Sequence, residues 1–595
     1  MPGFFKLLGG LRSWLPNSQY AYRVVGDDGQ RQQGSSTIRS RLKNVLVLFM
    51  SSPIQFKVFL VVIASLSLYL LSFQAPLGGA EIYAVPVVNA SYYHLLIPAS
   101  EGNANLCKTL FSAAALDYPT PRLINWQRTF DDPNLIFGGS HIAKIEGVLN
   151  LLRQLKPASD KDLVSIIDGY DVWFQLRPEV LIGRYHEINK RANRRLQARY
   201  GPGIVESRDI RQTVIFSSQK KCWPASEDDP ACFAVPQSEL ADDIYGPQTD
   251  QDIGDEKNPF VKMRQRYLNS GTVIGPVEDV RAIYERALDK LALGANIGSD
   301  QGIFADILGD QEYNREVLRA QDLTRWQITR AWLLRTFFGV MDVQDDVTWP
   351  HPTHHQMDAA TLGDKRYEFH LGIDYQSELS QPTVFSEDDL AWIKHNDQNQ
   401  IKEKSASAGI AGPPRLKGLP HDMAKSRSPF WVTDIEAANR LPAEGSWANV
   451  STYTNLWTGI TPVAIHHNAH RDGLKGRIQT FWNETWFFPY LRELLYARLL
   501  AVRAPHAVVL VPGVEHDIIQ EWWGPIDEKG GVRVDVGDPP GLWLSWQDLC
   551  GSKEIGDEVF RDGKGGWIDP ITTLSWNHSF AEEQVVKWKA ETGYG

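Results

Sequence analysis

Two carboxylates, Asp168 and Asp171, stand three residues apart where the apolar run of DLVSIIDGYDVWF (Asp162 to Phe174) breaks off. On a loop after a strand, side chains at i and i+3 converge on one point. There they supply the hard oxygen ligands that Mn²⁺ or Mg²⁺ prefers. A cation so held can grip a diphosphate and offset negative charge as a sugar–phosphate bond breaks. The competing reading is that the pair caps the next helix or meets an arginine.

The elements around the pair must position it. YYHLLIP (92–98), PRLINW (121–126), LVSIID and TVIFSS read as strands. ANLCKTLFSAAALDY, GGSHIAKIEGVLNLLRQLK and PEVLIGRYHEINKRANRRLQARY read as the helices between them. In the second helix Ile142, Ile145, Val148, Leu149 and Leu152 share one face. Short apolar strands alternating with helices predict an α/β fold with a mostly parallel central sheet, whose ligands sit beyond the carboxyl ends of the strands. Asp168 and Asp171 occupy that place. Residues 396–428, polar and rich in Gly, Pro and Ser, read as a flexible loop, and 506–595 as a C-terminal α+β extension.

The chain has 595 residues, 43% of them hydrophobic and 22% charged, which is an ordinary globular balance. Its formal charge of −11 excludes a general nucleic-acid binder, since nothing basic would neutralise phosphates. The apolar run VFLVVIASLSLYLLSF (58–73) follows a tail with basic residues and precedes a stretch without Lys or Arg until Lys108. That asymmetry predicts a cytosolic tail (1–43), a transmembrane signal anchor (44–74) and a stem (75–90), with everything beyond in the lumen. Asn-X-Ser/Thr acceptors at Asn89, Asn449, Asn483 and Asn577 all follow the anchor. Of the four cysteines, Cys222 and Cys232 bracket a short polar loop and are placed to bridge. Cys107 and Cys550 read as either free or paired.

In order and spacing, the segments IIDGYDV, FSSQKKCWP, RYLNSG, SDQGIF, LGIDYQSEL and VAIHHNAHRDGLK resemble the glycosyltransferase domain of the procollagen lysyl hydroxylases and procollagen galactosyltransferases. The resemblance implies a GT-A nucleotide-sugar fold over 91–395, completed by 429–505 across the loop. It implies Asp168, Asp171 and His466 as metal ligands, with His467 the rival imidazole. Tyr170 would contact the nucleotide, and Asn468 and Lys475 the diphosphate. Asn269 and Ser270 would line the sugar pocket through side-chain hydrogen bonds, and Asp300 would be the catalytic carboxylate. Lys144 reads either as a phosphate contact or as a solvated lysine. Three departures stand out. Ser299-Asp300-Gln301 replaces an Asp-Asp-Gln, His466-His467-Asn468-Ala469 lacks the two glycines of the family segment, and Ser218-Gln219 replaces an Ala-Glu. Nothing corresponds to the hydroxylase half.

The resulting expectation is a Golgi or ER type II membrane hexosyltransferase. It would take a UDP-sugar donor with Mn²⁺ or Mg²⁺ and a protein or glycan acceptor, and contact the membrane through one helix. A lumenal carbohydrate-binding or scaffold protein with a degenerate transferase domain is the alternative. A metal-dependent hydrolase is weaker, because its only further cluster, HPTHH (351–355), reads as a solvated loop.

Overall fold

Strand β3 (Leu163–Ile167) is buried at every position. Its side chains alternate between two cores. Leu163 and Ile167 pack with Tyr93, Phe111 and Trp173, whereas Val164 and Ile166 pack with Ile145, Val148, Ile303 and Phe304. A strand covered on both faces needs apolar residues on both, so its sequence runs without alternation.

In the computed structural model the described residues are 88–293, 298–322, 366–443, 445–470, 476–511, 518–535 and 541–570. The predicted tail and anchor lie outside them, as do Lys475, Asn577 and the 351–355 histidines. Among the described residues no helix is long and apolar enough to cross a membrane. Residues 88–90, counted with the stem by sequence, already belong to β1 (Val88–Pro98).

Besides β1 and β3, the ten-stranded central sheet contains β2 (Arg122–Ile124), β5 (Val214–Gln219), β6 (Tyr267–Pro276) and β7 (Leu371–Asp374). Its remaining strands are β12 (Ala507–Val511), β13 (Ile518–Trp523), β14 (Gly531–Val534) and β15 (Leu542–Ser545). The order is β15-β14-β2-β1-β3-β6-β5-β7, with β13 pairing the first half of β1 and β12 pairing β13. β6, β12 and β15 run against the rest, so the sheet is mostly parallel, as the strand–helix alternation predicts. Helices α1 (Ala104–Ala115), α2 (Ser140–Gln154), α3 (Pro178–Tyr200), α4 (Val277–Ala292), α5 (Asp300–Asp322) and α6 (Leu491–Leu500) supply most of the helical cover. A smaller sheet joins β4 (Val172–Phe174), β11 (Ala464–His466) and β8 (Ser380–Pro382), and β9 (Leu390–Lys394) pairs with β10 (Ser451–Asn455).

Two expectations need correction. The described part of the expected C-terminal extension is built into the main sheet, because β13 and β14 lie in register beside β1 and β2. Hydropathy shows that a strand exists but not which edge it joins. The 396–428 stretch carries helices Gln398–Ser407 and His421–Lys425 and is pinned at its few apolar residues, with Ile401 and Met423 fully buried. Arg184 also holds Asp422 at 2.6 Å. Both cysteine pairs form disulfides, and Cys107–Cys550 ties α1 to the C-terminal strands' helix.

Candidate metal centre and cleft

β1 and β3 are parallel neighbours, and their carboxyl ends open on one cleft. Asp168 follows β3 directly, its N–H donating to the Gly271 carbonyl of β6 at 3.0 Å. Gly169 fills a close approach: a Cβ there would lie 2.6 Å from the Pro98 carbonyl oxygen. The turn delivers Asp171 to the start of β4, and β11 pairs with β4 so that His466 sits opposite Val172. The His467 N–H donates to the Asp171 carbonyl at 2.7 Å and fixes that register. One ligand atom each from Asp168, Asp171 and His466 lies within 4.8 Å of the others. His466 Nε2 is 3.6 Å from Asp168 Oδ2 and 3.5 Å from Asp171 Oδ1.

The tautomer of His466 follows from Asn269. The Asn269 Oδ1 accepts from the Gly271 N–H at 3.0 Å and from Ser217 Oγ at 3.1 Å, while Nδ2 donates to Gln219 and Gln301. The atom 3.1 Å from His466 Nδ1 is therefore an acceptor, so Nδ1 carries the hydrogen. That leaves the Nε2 lone pair directed at two carboxylates, an arrangement suited to a cation between them. Asn269 is thus committed to orienting the imidazole, and its expected hydrogen bonds to a sugar are not available. Gly271 leaves room for the ring, since a Cβ there would meet His466 Cε1 at 2.1 Å. Gly271→Ala is expected to weaken Mn²⁺ binding about 10- to 100-fold, the range for changes behind a ligand, as measured by titration calorimetry. His467 is no rival: it is fully buried against Trp173, and burial pushes its imidazole well below the ordinary range.

Lys144 is neither solvated nor held out to a phosphate. It takes a place on the buried face of α2 where Ile142 was expected, and Ile142 itself is only half-buried. Its Nζ sits 2.6 Å from Asp168 Oδ1, 3.0 Å from Asp300 Oδ2 and 3.3 Å from the Ser270 carbonyl. Burial disfavours its charge, but Asp168 and Asp300 hold the ammonium well above its usual range. Asp300, at the start of α5 and 5% exposed in its side chain, also lies 3.6 Å from His141. Burial alone would raise its carboxyl, yet Lys144 and His141 outweigh this and hold it well below the usual carboxylate range. A carboxylate held so firmly ionised is a poor proton acceptor. Its fixed charge is better suited to accepting hydrogen bonds.

Tyr170 lines the cleft with its ring. Its hydroxyl accepts from the Ser100 and Glu101 N–H groups at 2.9 and 3.0 Å, so only the ring face is offered to a ligand. Ser270 and Asn468 also line it, and Asn468 Oδ1 is occupied by the Val384 N–H at 3.0 Å. The cleft, about 1660 Å³ including its mouth, has further walls from His141, Trp223 and Phe385, none of which the sequence reading assigned a role. Trp223 is 43% exposed, and its Cys-Trp-Pro setting was the available signal.

The chain matches no protein-family model and no curated protein.

Proposed function

We propose that the protein transfers a hexose from a UDP-sugar to a hydroxyl on a protein or glycan acceptor. In this reading the cleft belongs to a GT-A fold, and Asp168, Asp171 and His466 hold Mn²⁺ or Mg²⁺. The observation that carries it is the meeting of those three side chains, with the His466 lone pair turned toward the carboxylates by Asn269. The ordered likeness of the surrounding segments to the procollagen glycosyltransferase domains gives the donor class. A bound divalent cation would neutralise charge developing on the departing diphosphate.

The remaining tasks fall to the chain's own groups. Lys144 fixes Asp168 and Asp300 relative to each other. Asp300, held ionised by Lys144 and His141, offers a hydrogen-bond acceptor to donor-sugar hydroxyls, in place of the proton-accepting role expected from sequence. Trp223 and the ring of Tyr170 provide flat apolar faces for a sugar and a base. The basic tail followed by an apolar run supports a type II Golgi or ER address. The exposed acceptors Asn89, Asn449 and Asn483 and the two disulfides agree with a lumenal domain.

Purified protein incubated with UDP-glucose or UDP-galactose is expected to release UDP with Mn²⁺ present and to stop when EDTA is added. Release that continues in EDTA would overturn the metal reading. A carbohydrate-binding protein with a degenerate centre is the second reading. It draws on a separate open groove where Trp392, Trp457 and Phe481 stand beside Gln400 and Glu484. It predicts glycan binding that survives EDTA, with no UDP released from any UDP-hexose.

A further inference from the structure

Beyond the far end of α1 lies a second pocket, about 640 Å³ with its open mouth included and only about 40 Å³ in its interior. The loop before α1 meets the Tyr170 hydroxyl at the metal cleft, whereas Ala114 and Ala115 at its other end line this cavity. The helix has 12 residues. At 1.5 Å per residue it spans roughly 18 Å, so the two sites are separate.

The charges around this cavity do not balance. Arg177 is 1% exposed and lines it, yet no carboxylate of the described residues pairs with it. Its Nε and Nη2 donate to the backbone carbonyls of Ser428, Pro429 and Trp431 at 3.0, 2.8 and 2.8 Å. These bonds take three of its five hydrogens without cancelling the charge, and burial pushes the guanidinium down to about 10 against the weaker pull of Glu179 and Asp117, neither of which touches it. Half-buried Lys529 donates to the Ala501 carbonyl, and burial and Arg498 push it down while Asp527 and Asp117 pull the other way. The half-buried carboxylate of the cavity, Asp117, is already shared by Arg498 at 2.7 Å, Arg427 at 3.1 Å and His506 at 3.6 Å. At the exposed rim Asp527 lies 3.8 Å from Arg503, too far and too wet to neutralise the interior. A buried guanidinium with no carboxylate in contact is costly, and an anion entering between Arg177 and Lys529 would offset that cost. The remaining wall is apolar, with Trp431, Trp523 and Ala497 facing the same space.

We propose that this cavity is a second ligand site, taking a small organic oxyanion: a carboxylate or phosphate carried on a compact apolar body. The oxyanion sits against Lys529 and the Nη1 end of Arg177, the nitrogen that takes no part in the three carbonyl bonds. The apolar body lies between the two tryptophans.

The test is calorimetric titration of the purified full chain with phenyl phosphate, benzoate, inorganic phosphate and benzyl alcohol. Saturable binding is expected for phenyl phosphate or benzoate, the stronger of the two showing which oxyanion is preferred. Inorganic phosphate should bind much more weakly and benzyl alcohol not at all. Lys529→Gln is expected to weaken the anionic probe at least about tenfold, as loss of one charged partner does. Ala501→Trp should block the cavity from its rim. Neither residue belongs to the metal cleft, so unchanged Mn²⁺ binding in both variants shows that they fold. Equal binding of benzyl alcohol, unchanged affinity in Lys529→Gln, or no saturable heat from either aromatic anion overturns the proposal.

Discussion

An Asp171→Ala protein is expected to lose Mn²⁺-dependent UDP release by about a thousandfold, corresponding to the several kcal/mol a Lewis-acid cation contributes to such a step. The argument is geometric. Asp171 Oδ1 is 3.5 Å from His466 Nε2, and with Asp168 it completes a three-donor set. Two donors hold a hard divalent cation poorly, since such ions take six or more oxygen and nitrogen ligands. The fold should not suffer. The strand pairing of this region runs through backbone groups, the Asp171 carbonyl among them, and these survive the change. Removing one of two neighbouring carboxylates also relieves repulsion in the metal-free protein. UDP release with and without Mn²⁺, Mn²⁺ binding by electron paramagnetic resonance and thermal unfolding together check the prediction. Undiminished turnover in the variant with chelator present would remove Asp171 from the metal centre and the cation from the reaction.

Lys144→Met should have the largest effect on stability, about 3–5 kcal/mol at neutral pH, the cost of breaking a buried pair by deleting one partner. The charge left behind is Asp300, whose side chain is 5% exposed. In the native protein its carboxyl is held below the ordinary range, so its stabilising share is present above that range and fades only in strong acid. Without Lys144 the sign reverses. Burial then raises the folded-state value above the unfolded one, and the ionised group penalises the fold at neutral pH but less so as pH falls. Urea unfolding at pH 7.5 and pH 5 should therefore show a smaller loss at the lower pH. Equal losses at both values would mean that Lys144 acts by packing alone. The same variant should loosen Asp168, which Lys144 touches at 2.6 Å, and so weaken Mn²⁺ binding as well.

Much of this site was legible before any coordinates. The run from Leu163 to Ile167 followed by Asp168 and Asp171 placed two carboxylates at the end of a sheet strand, because strand propensity and a carboxylate spacing are local properties. The parallel sheet followed from the alternation of strands and helices. His466 was reached through resemblance alone, and nothing local separates it from His467. The two imidazoles stand on successive residues where β11 ends, and only the pairing of β11 with β4 decides which of them faces the carboxylates. Lys144 and Asp300 illustrate the opposite outcome. Each was seen as a residue, but their roles depend on each other, and the 3.0 Å contact between α2 and α5 is invisible in a linear pattern.

The sequence alone determined the strand-and-helix alternation, the carboxylate pair at a strand's end, the acidic balance and the apolar run near the amino terminus. All of these are set by residues close together in the chain. The tertiary structure decided which imidazole joins the aspartates, that Asn269 orients it, and that Lys144 locks Asp300 in its ionised form. It also decided that strands β12 to β15 complete the central sheet and that Arg177 is buried with no carboxylate of the described residues in contact. The physical reason is common to all of them. Coordination, tautomer choice and charge compensation are set over distances of about 3 Å between groups far apart in sequence, and only the packed chain brings those groups within range.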